Sequence, residues 1–205
     1  MLKKLSILFV ITLVACLVAR TSFSQDAPQQ YTLSDQVTIE TANAYLEKCM
    51  GTFPKNFTPE AQKVFCNCSA ANIRINMTNT DLVDLNKTAS LKAGNEVYEK
   101  YIQKIITPCM SAATDHIAYV SCLENRGHSP YIKNILPYCQ CTGYEMRKWV
   151  AQKGASAIII NMTNNPRFYT DPIQTLLTVN QYNAATAQAY STCRPLGVER
   201  KKNRL

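Results

Sequence analysis

Cys66-Asn67-Cys68 and Cys139-Gln140-Cys141 are two Cys-x-Cys pairs that occupy matching places in the chain. Sixteen residues separate each pair from the cysteine before it, and a closing cysteine follows each pair. The two sets of four are Cys49, Cys66, Cys68 and Cys109, then Cys122, Cys139, Cys141 and Cys193. This regular spacing predicts a framework of disulfide bonds rather than reactive thiols.

A pentapeptide of identical sequence, Ile-Asn-Met-Thr-Asn, follows each Cys-x-Cys pair, at Ile75–Asn79 and at Ile160–Asn164. Its first asparagine lies 33 positions before the closing cysteine in one set and 32 positions before it in the other. The matched intervals predict two copies of one disulfide-stapled unit. We interpret the pentapeptide as a helix end, with the methionine buried and the asparagine and threonine bonded to the local backbone.

Helix geometry limits how the cysteines can pair. Residues two apart on a helix project about 200° apart, so Cys66 and Cys68 face different neighbours and cannot bond to each other without strain. We therefore expect the central helix of each copy to be bonded to the helix before it and to the helix after it, through four bonds within the copies. Whether Cys49 takes Cys66 or Cys68 stays open, although the predicted helix faces turn Cys68 and Cys109 toward the core.

The periodicity of the apolar residues predicts an all-α fold: two tandem copies of a three-helix, disulfide-stapled unit, packed as one compact body. We divide the chain into a flexible leader (25–37), the first helical repeat (38–112), the second helical repeat (113–197) and a basic tail (198–205). Each copy has roughly 75 residues, a size at which a hydrophobic core is marginal and disulfides help.

Start signals and periodicity locate the helices within each copy. One helix is predicted to follow Thr38, and the next to start at Thr58-Pro59, with proline at the first helical position. On this second helix an apolar face is predicted at Val64, Phe65, Cys68, Ala71 and Ile75. A third helix is expected over residues 94–107, separate from a following helix that ends near Cys122. The second copy has twelve more residues after its Cys-x-Cys pair, which predicts a helix about three turns longer, kinked or restarted at Pro137.

The N-terminal residues predict export. A short apolar run, Leu5–Ala19, follows two lysines, so we interpret residues 1–24 as a signal peptide cleaved after Ser22-Phe23-Ser24. Leu13–Cys16 resembles a lipobox and gives the alternative of a lipoprotein signal at residues 1–15, with lipidation of Cys16. Both alternatives leave eight cysteines to pair. The predicted location is the periplasm or the medium, or the outer membrane if Cys16 is lipidated.

The positive charge of the chain is concentrated at its ends. The full chain has 22 basic and 14 acidic residues. Without residues 1–24 the net charge is +5, and without the tail 199–204 as well it is +2. The body of the protein is thus nearly balanced. We expect no nucleic-acid binding from an exported chain without a basic groove or an aromatic RNA-binding signature. A solvated chain end is the favoured interpretation of the tail. The alternative is a contact with another envelope protein, an anionic lipid or a cell-wall polymer through Arg200, Lys201, Lys202 and Arg204.

Other residues offer little chemistry. His116 and His128 form no ligand or catalytic spacing, and we predict neither metal nor cofactor. Asp81 and Asp84 could form a carboxylate pair, but a helix start or turn is the favoured interpretation. Trp149, with Tyr144 and Met146, could form a ligand platform, and a packing contact is favoured.

These observations favour a non-enzymatic exported protein that acts by protein–protein binding, as a structural or accessory subunit of a bacterial cell-envelope assembly such as a secretion system. One alternative is a periplasmic carrier or sensor that holds an apolar ligand between the copies, near Ile158–Ile160. The other is a thiol-disulfide oxidoreductase that uses the Cys-x-Cys pairs.

Overall fold

The computed structural model describes residues 35–52, 57–125, 132–167 and 171–198, which all belong to one compact unit, Leu33–Leu205. Within these ranges the fold is all-α, as predicted, with a single isolated bridge between Gln36 and Thr78. The helices are α1 (Ile39–Gly51), α2 (Pro59–Asn76), α3 (Asn79–Leu85), a 3-10 turn (Thr88–Ser90), α4 (Glu96–Tyr101), a π-helical segment (Ile102–Ile106), α5 (Thr107–Glu124), α6 (Ile135–Asn164), α7 (Pro172–Thr178) and α8 (Asn180–Gly197). The predicted signal peptide, Cys16 and the basic residues of the tail lie outside the described residues.

The predicted start signals are those that the helices use. The Thr38 hydroxyl accepts the Thr41 N–H at 3.2 Å at the start of α1. The Thr58 hydroxyl accepts the Ala61 N–H at 3.1 Å at the start of α2, where Pro59 occupies the first helical position. Each hydroxyl satisfies a backbone donor that has no partner within its helix.

Four disulfides join the long helices in series. Cys49–Cys66 links α1 to α2, Cys68–Cys109 links α2 to α5, Cys122–Cys139 links α5 to α6, and Cys141–Cys193 links α6 to α8. Each bond thus joins cysteines that follow each other in sequence within one set. The two members of each Cys-x-Cys pair bond to different helices, as the helix geometry predicts. Cys49 takes Cys66, which resolves the pairing that the sequence left open.

One long helix replaces two that the sequence predicted. Residues 94–107 do not form a helix of their own: α4 continues through the π-helical segment into α5 without a break. Pro108 lies just after this segment. Proline has no N–H and its ring clashes with the carbonyl four residues earlier, so a local change of helix winding is a way to include it. The predicted division between copies at 112/113 falls inside α5, which contains both Cys109 and Cys122.

The buried face of α2 is not the predicted one. Phe65 is buried, but Ile75 is exposed over 78% of its surface and Ala71 is also exposed. The face that packs includes small and polar residues, which apolar periodicity does not detect. It consists of Ala61, Gln62, Phe65, Cys66, Ser69, Ala70 and Ile73.

Helix α6 has 30 residues and α2 has 18, which matches the twelve additional residues between the second Cys-x-Cys pair and its pentapeptide. Pro137 does not kink or restart α6. It lies in the first helical turn, where a backbone N–H would have no helical acceptor in any case. The long helix packs along α5, and its Val150 and Ile158 enter the main core together with Phe65, Ile102, Met110 and Leu176.

The last residues of the predicted flexible leader are held in place. The Asp35 carboxylate accepts the Thr80 N–H at 3.2 Å, and the Gln36 carbonyl accepts a hydrogen bond from the Asn79 side chain at 3.1 Å. Val37 is buried beside Ile73. The polar composition of this segment predicts flexibility. Composition contains no information about contacts with residues about 43 positions away, and these contacts fix the segment.

Candidate functional site

The cysteine frame is a set of structural bonds. All eight cysteines of the two sets are paired between helices. Cys122 and Cys139 are both fully buried, whereas the other three bonds each have one partly exposed partner. The Asn72 amide lies 3.4 Å from the Cys68 sulfur and 3.5 Å from the Cys109 sulfur. As folded, the frame presents no thiolate, which is the group that attacks in thiol–disulfide exchange.

The two pentapeptides share a buried methionine and an exposed isoleucine, although the first connects α2 to α3 and the second forms the last turn of α6. Met77 and Met162 are buried, as predicted, whereas Ile75 and Ile160 are 78% and 52% exposed. The side-chain amides of the asparagines donate to backbone carbonyls one turn earlier, and the two threonines also bond to the local backbone. Each pentapeptide therefore has an exposed isoleucine beside a buried methionine and a hydrogen-bonded asparagine.

Ile75 lies in a surface groove of mixed polar and apolar lining, together with a second exposed isoleucine. Residues of the extended segment before α1 and of the C-terminal end of α2 line this groove, and Ile39 is 52% exposed there. Arg74 lies on the same groove. We call this surface the Ile39–Ile75 groove. The bond between Cys49 and Cys66 fixes the two helices that form it relative to each other.

A larger and more apolar pocket, of about 590 Å³, is also lined in part by α1 and α2. Its remaining walls come from α3, the segment that follows α3, α4, the π-helical segment and the start of α7. The apolar lining residues are Tyr45, Phe65, Ile73, Leu82, Leu85, Leu91, Tyr98, Tyr101, Ile106, Pro172 and Ile173. We call it the tyrosine pocket. It differs from the predicted site because Ile158 is in the core, Ile160 is exposed, and neither lines it.

The helix that contains the π-helical segment forms one wall of this pocket. Tyr98 and Tyr101 precede the segment, with ring centroids 6.5 Å apart, and Ile106 ends it. Burial and the nearby Asp171 charge raise the pKa of Tyr98 to about 12. Burial, together with the charge and hydrogen bond of Tyr45, raises the pKa of Tyr101 well above its usual value. Both phenols therefore stay neutral at ordinary pH and bring no negative charge to the pocket.

The polar groups of the pocket lie mainly near the C-terminal end of α1. The Gln62 side-chain amide donates to the carbonyls of Cys49, Met50 and Thr52 at 3.0, 3.1 and 2.6 Å, and so caps the end of α1. Lys48, Thr52 and Asn86 are exposed at the rim. The sequence gives no functional signal at these positions, because a lysine in the last turn of a helix and a polar residue just after a helix are common at helix ends.

Other candidate residues have structural contacts. Asp81 and Asp84 have separate structural partners: Asp81 completes the capping box of α3 with Thr78, and Asp84 accepts hydrogen bonds from Lys87 and Ser90. His116 lies in α5, and His128 falls outside the described residues. Over the described ranges, no cluster of three or more His, Cys, Asp or Glu residues could hold a metal ion.

The residues of the considered ligand platform point to different places. Met146 is fully buried, Trp149 packs edge-on against Tyr182 with centroids 6.0 Å apart, and Tyr144 is 59% exposed. Met146 and Trp149 belong to the contact between α6 and α8. Packing is therefore what the structure shows for two of the three residues.

In comparisons with known proteins, no family model, curated protein or solved structure matches this chain. Among the helices of the described residues, none combines the length and hydrophobicity that a membrane span requires. The four disulfides are consistent with an oxidising compartment outside the cytoplasm.

Proposed function

We propose that this protein is a non-enzymatic, exported helical protein that acts by protein–protein binding, as a structural or accessory subunit of a bacterial cell-envelope assembly such as a secretion system. The observation that supports this function best is the Ile39–Ile75 groove, where two exposed isoleucines lie among polar residues on helices that a disulfide bond holds together. Its two isoleucines are each more than half exposed.

Exposed isoleucines favour binding because covering them removes apolar surface from water, at about 25 cal/mol per Å². A surface on stapled helices loses little conformational freedom when a partner binds, so more of that free energy remains as affinity. We therefore expect the partner to insert an apolar side chain between Ile39 and Ile75.

The proposal includes a duplicated origin for the body. Each set of four cysteines ties three successive long helices together, and α5 is the last of the first three and the first of the second three. We infer that the two three-helix units are copies that overlap on α5. A periplasmic or secreted location, with the basic tail as an additional contact to acidic envelope components, completes the proposal.

Site-specific photo-crosslinking in the producing cells tests the binding function. A photoreactive residue at position 75 should capture a defined envelope protein, and Ile39→Asp should abolish the capture because it puts a charge into the groove. Position 160 is the matched control, because Ile160 is an exposed isoleucine in the same pentapeptide. Equal crosslinking at positions 75 and 160, or none at either, would refute a partner at this groove.

A second candidate function is a carrier or sensor of an apolar ligand, and the tyrosine pocket favours it. Its volume of about 590 Å³ lies in the range of about 300–1,000 Å³ that is typical of small-molecule sites. The test is binding of a fluorescent apolar probe to the disulfide-intact protein. A Leu85→Trp variant that fills the pocket should lose the binding.

A further inference from the structure

The tyrosine pocket has an uneven distribution of polar groups along α1. At the level of Tyr45 its walls are apolar, with Ile73 and Leu82 opposite. One to two turns further along α1, Lys48 and Thr52 lie at the rim. The interval from Tyr45 to Thr52 corresponds to about 10 Å of helix. A molecule in this pocket therefore meets an apolar trough and a polar rim within its own length.

Two charged side chains line the pocket: the Asp171 carboxylate, which the fold binds through hydrogen bonds, and the Lys48 ammonium in the last turn of α1. The Asp171 carboxylate is the N-cap of α7 and accepts the N–H groups of Ile173 at 2.7 Å and Gln174 at 3.2 Å. The helix N-terminus thus compensates its negative charge. Lys48 is exposed and has no ion pair with any residue in the described part of the chain.

The other polar groups of the pocket also include some that the fold binds and some that remain exposed. The Gln62 amide nitrogen already donates to three carbonyls, so its N–H groups are committed to the cap of α1. The Thr52 hydroxyl donates to the Lys48 carbonyl at 3.0 Å. The exposed amide of Asn86 and the ammonium of Lys48 remain as donors at the rim. Both suit an acceptor group with negative charge.

We propose that the tyrosine pocket binds a single-chain anionic amphiphile, with its hydrocarbon chain in the trough and its acidic headgroup at Lys48 and Asn86. This inference rests on the carrier function and adds the class of the ligand. The hydrocarbon chain of the ligand leaves water when it enters the trough between Phe65, Leu85 and Ile106. This burial supplies most of the affinity. The headgroup contacts select charge and fix the direction of the chain.

Three probes with the same chain separate these contributions: dodecanoate, dodecanol and dodecyltrimethylammonium, each below its micellar concentration. Calorimetric titration of the disulfide-intact protein should show dodecanoate binding about fivefold more tightly than dodecyltrimethylammonium, as expected for one exposed ion pair. Lys48→Glu should reverse this order. Lys63→Glu is the matched control, because Lys63 is exposed on α2 and does not line the pocket.

The outcomes distinguish this inference from the carrier function. Equal affinity for the three probes, or an unchanged order in Lys48→Glu, would overturn the anionic ligand and leave the carrier standing. Absence of binding by all three, with a far-ultraviolet spectrum that shows the helices intact, would overturn both. If Leu85→Trp kept the full affinity for dodecanoate, the ligand would bind elsewhere and the proposed site would be wrong.

Discussion

The backbone carbonyl of Asp115 occupies the place that a β-carbon at Gly143 would need. A β-carbon built on Gly143 would lie 2.6 Å from this oxygen and 2.6 Å from the Asp115 side-chain oxygen Oδ1. Gly143 thus lets α5 and α6 approach closely at the middle of their contact. Ser111 and Arg147, one turn away on each helix, are joined by a hydrogen bond of 3.1 Å at the same contact.

Gly143→Ala should lower the free energy of unfolding, because backbone atoms would have to move to admit the methyl group. We expect a loss of about 1–3 kcal/mol, in the range of overpacked cores, measured by chemical denaturation. Gly51→Ala is the control: it lies at the end of α1 with nothing within 4 Å of the added methyl group. It should be neutral or slightly stabilising, because alanine favours a helix more than glycine does. Equal effects of the two changes would show that the close approach is unimportant.

Cys49–Cys66 and Cys122–Cys139 form a natural matched pair, because each closes a separation of 17 residues. Chain entropy alone predicts the same contribution from each, about 3 kcal/mol. The environments differ: both sulfurs of Cys122–Cys139 are fully buried, whereas Cys49 is partly exposed. Replacing Cys122 and Cys139 by alanine should therefore lower the free energy of unfolding more than the same change at Cys49 and Cys66, since it also leaves a buried cavity.

The same difference should appear as an order of reduction. Under mild reductant and native conditions, thiol labelling with mass spectrometry should detect Cys49 and Cys66 before Cys122 and Cys139, because the reductant must reach a sulfur atom. Reduction of Cys122–Cys139 first would contradict this burial-based order.

The disulfide-linked helices can be predicted from the sequence because the patterns that indicate them are local and occur twice. Cysteine spacing and the 100° turn of a helix exclude a Cys66–Cys68 bond. Threonine before proline marks the start of α2, and Met77 and Met162 are buried as the pentapeptide suggests. These features need information from only a few neighbouring residues.

The parts that the sequence did not show depend on contacts between distant residues. The buried face of α2 includes Gln62 and Ser69, whose burial depends on carbonyls and helices brought together by folding. The continuity of α4 with α5 was missed because Pro108 normally marks a helix boundary. The tyrosine pocket joins Tyr45, Tyr98 and Ile173, and no pattern along the chain brings these three together.

Asp81 should make the free energy of unfolding depend on pH in the acidic range. Burial raises the pKa of Asp81, but the hydrogen bond from Lys100 at 2.8 Å, the Thr78 N–H at 2.9 Å and the Lys100 charge together lower it below its ordinary 3.8. A lowered folded pKa stabilises the fold above the unfolded value, and this stabilisation is lost as pH falls through the folded pKa. Part of the free energy of unfolding should therefore disappear below about pH 4.

Asp81→Asn should remove this dependence. At pH 7 we expect a loss of about 1 kcal/mol, because asparagine can accept the Thr78 N–H but offers no charge to Lys100. Between pH 5 and pH 2 the variant should lose less stability than the unmodified protein. Glu47→Gln, at an exposed position on α1, is the control for a general loss of negative charge. An acid profile of Asp81→Asn that parallels that of the unmodified protein would rule out this role.

Thr114 and Thr142 are both fully buried in helices, but only one has a partner for its hydroxyl. The Thr142 hydroxyl donates to the Tyr138 carbonyl at 3.0 Å, whereas the Thr114 hydroxyl has no hydrogen bond. Thr114→Val should therefore raise the free energy of unfolding by about 1 kcal/mol, since it removes a desolvated polar group while keeping the side-chain shape. Thr142→Val should lower it by about 1 kcal/mol, because a hydrogen bond is lost without relief of any unpaired group. Denaturant titrations measure both changes, provided that the free energy of unfolding depends equally on denaturant concentration in the two variants. If Thr114→Val were destabilised, the Thr114 hydroxyl would have a hydrogen-bond partner in solution.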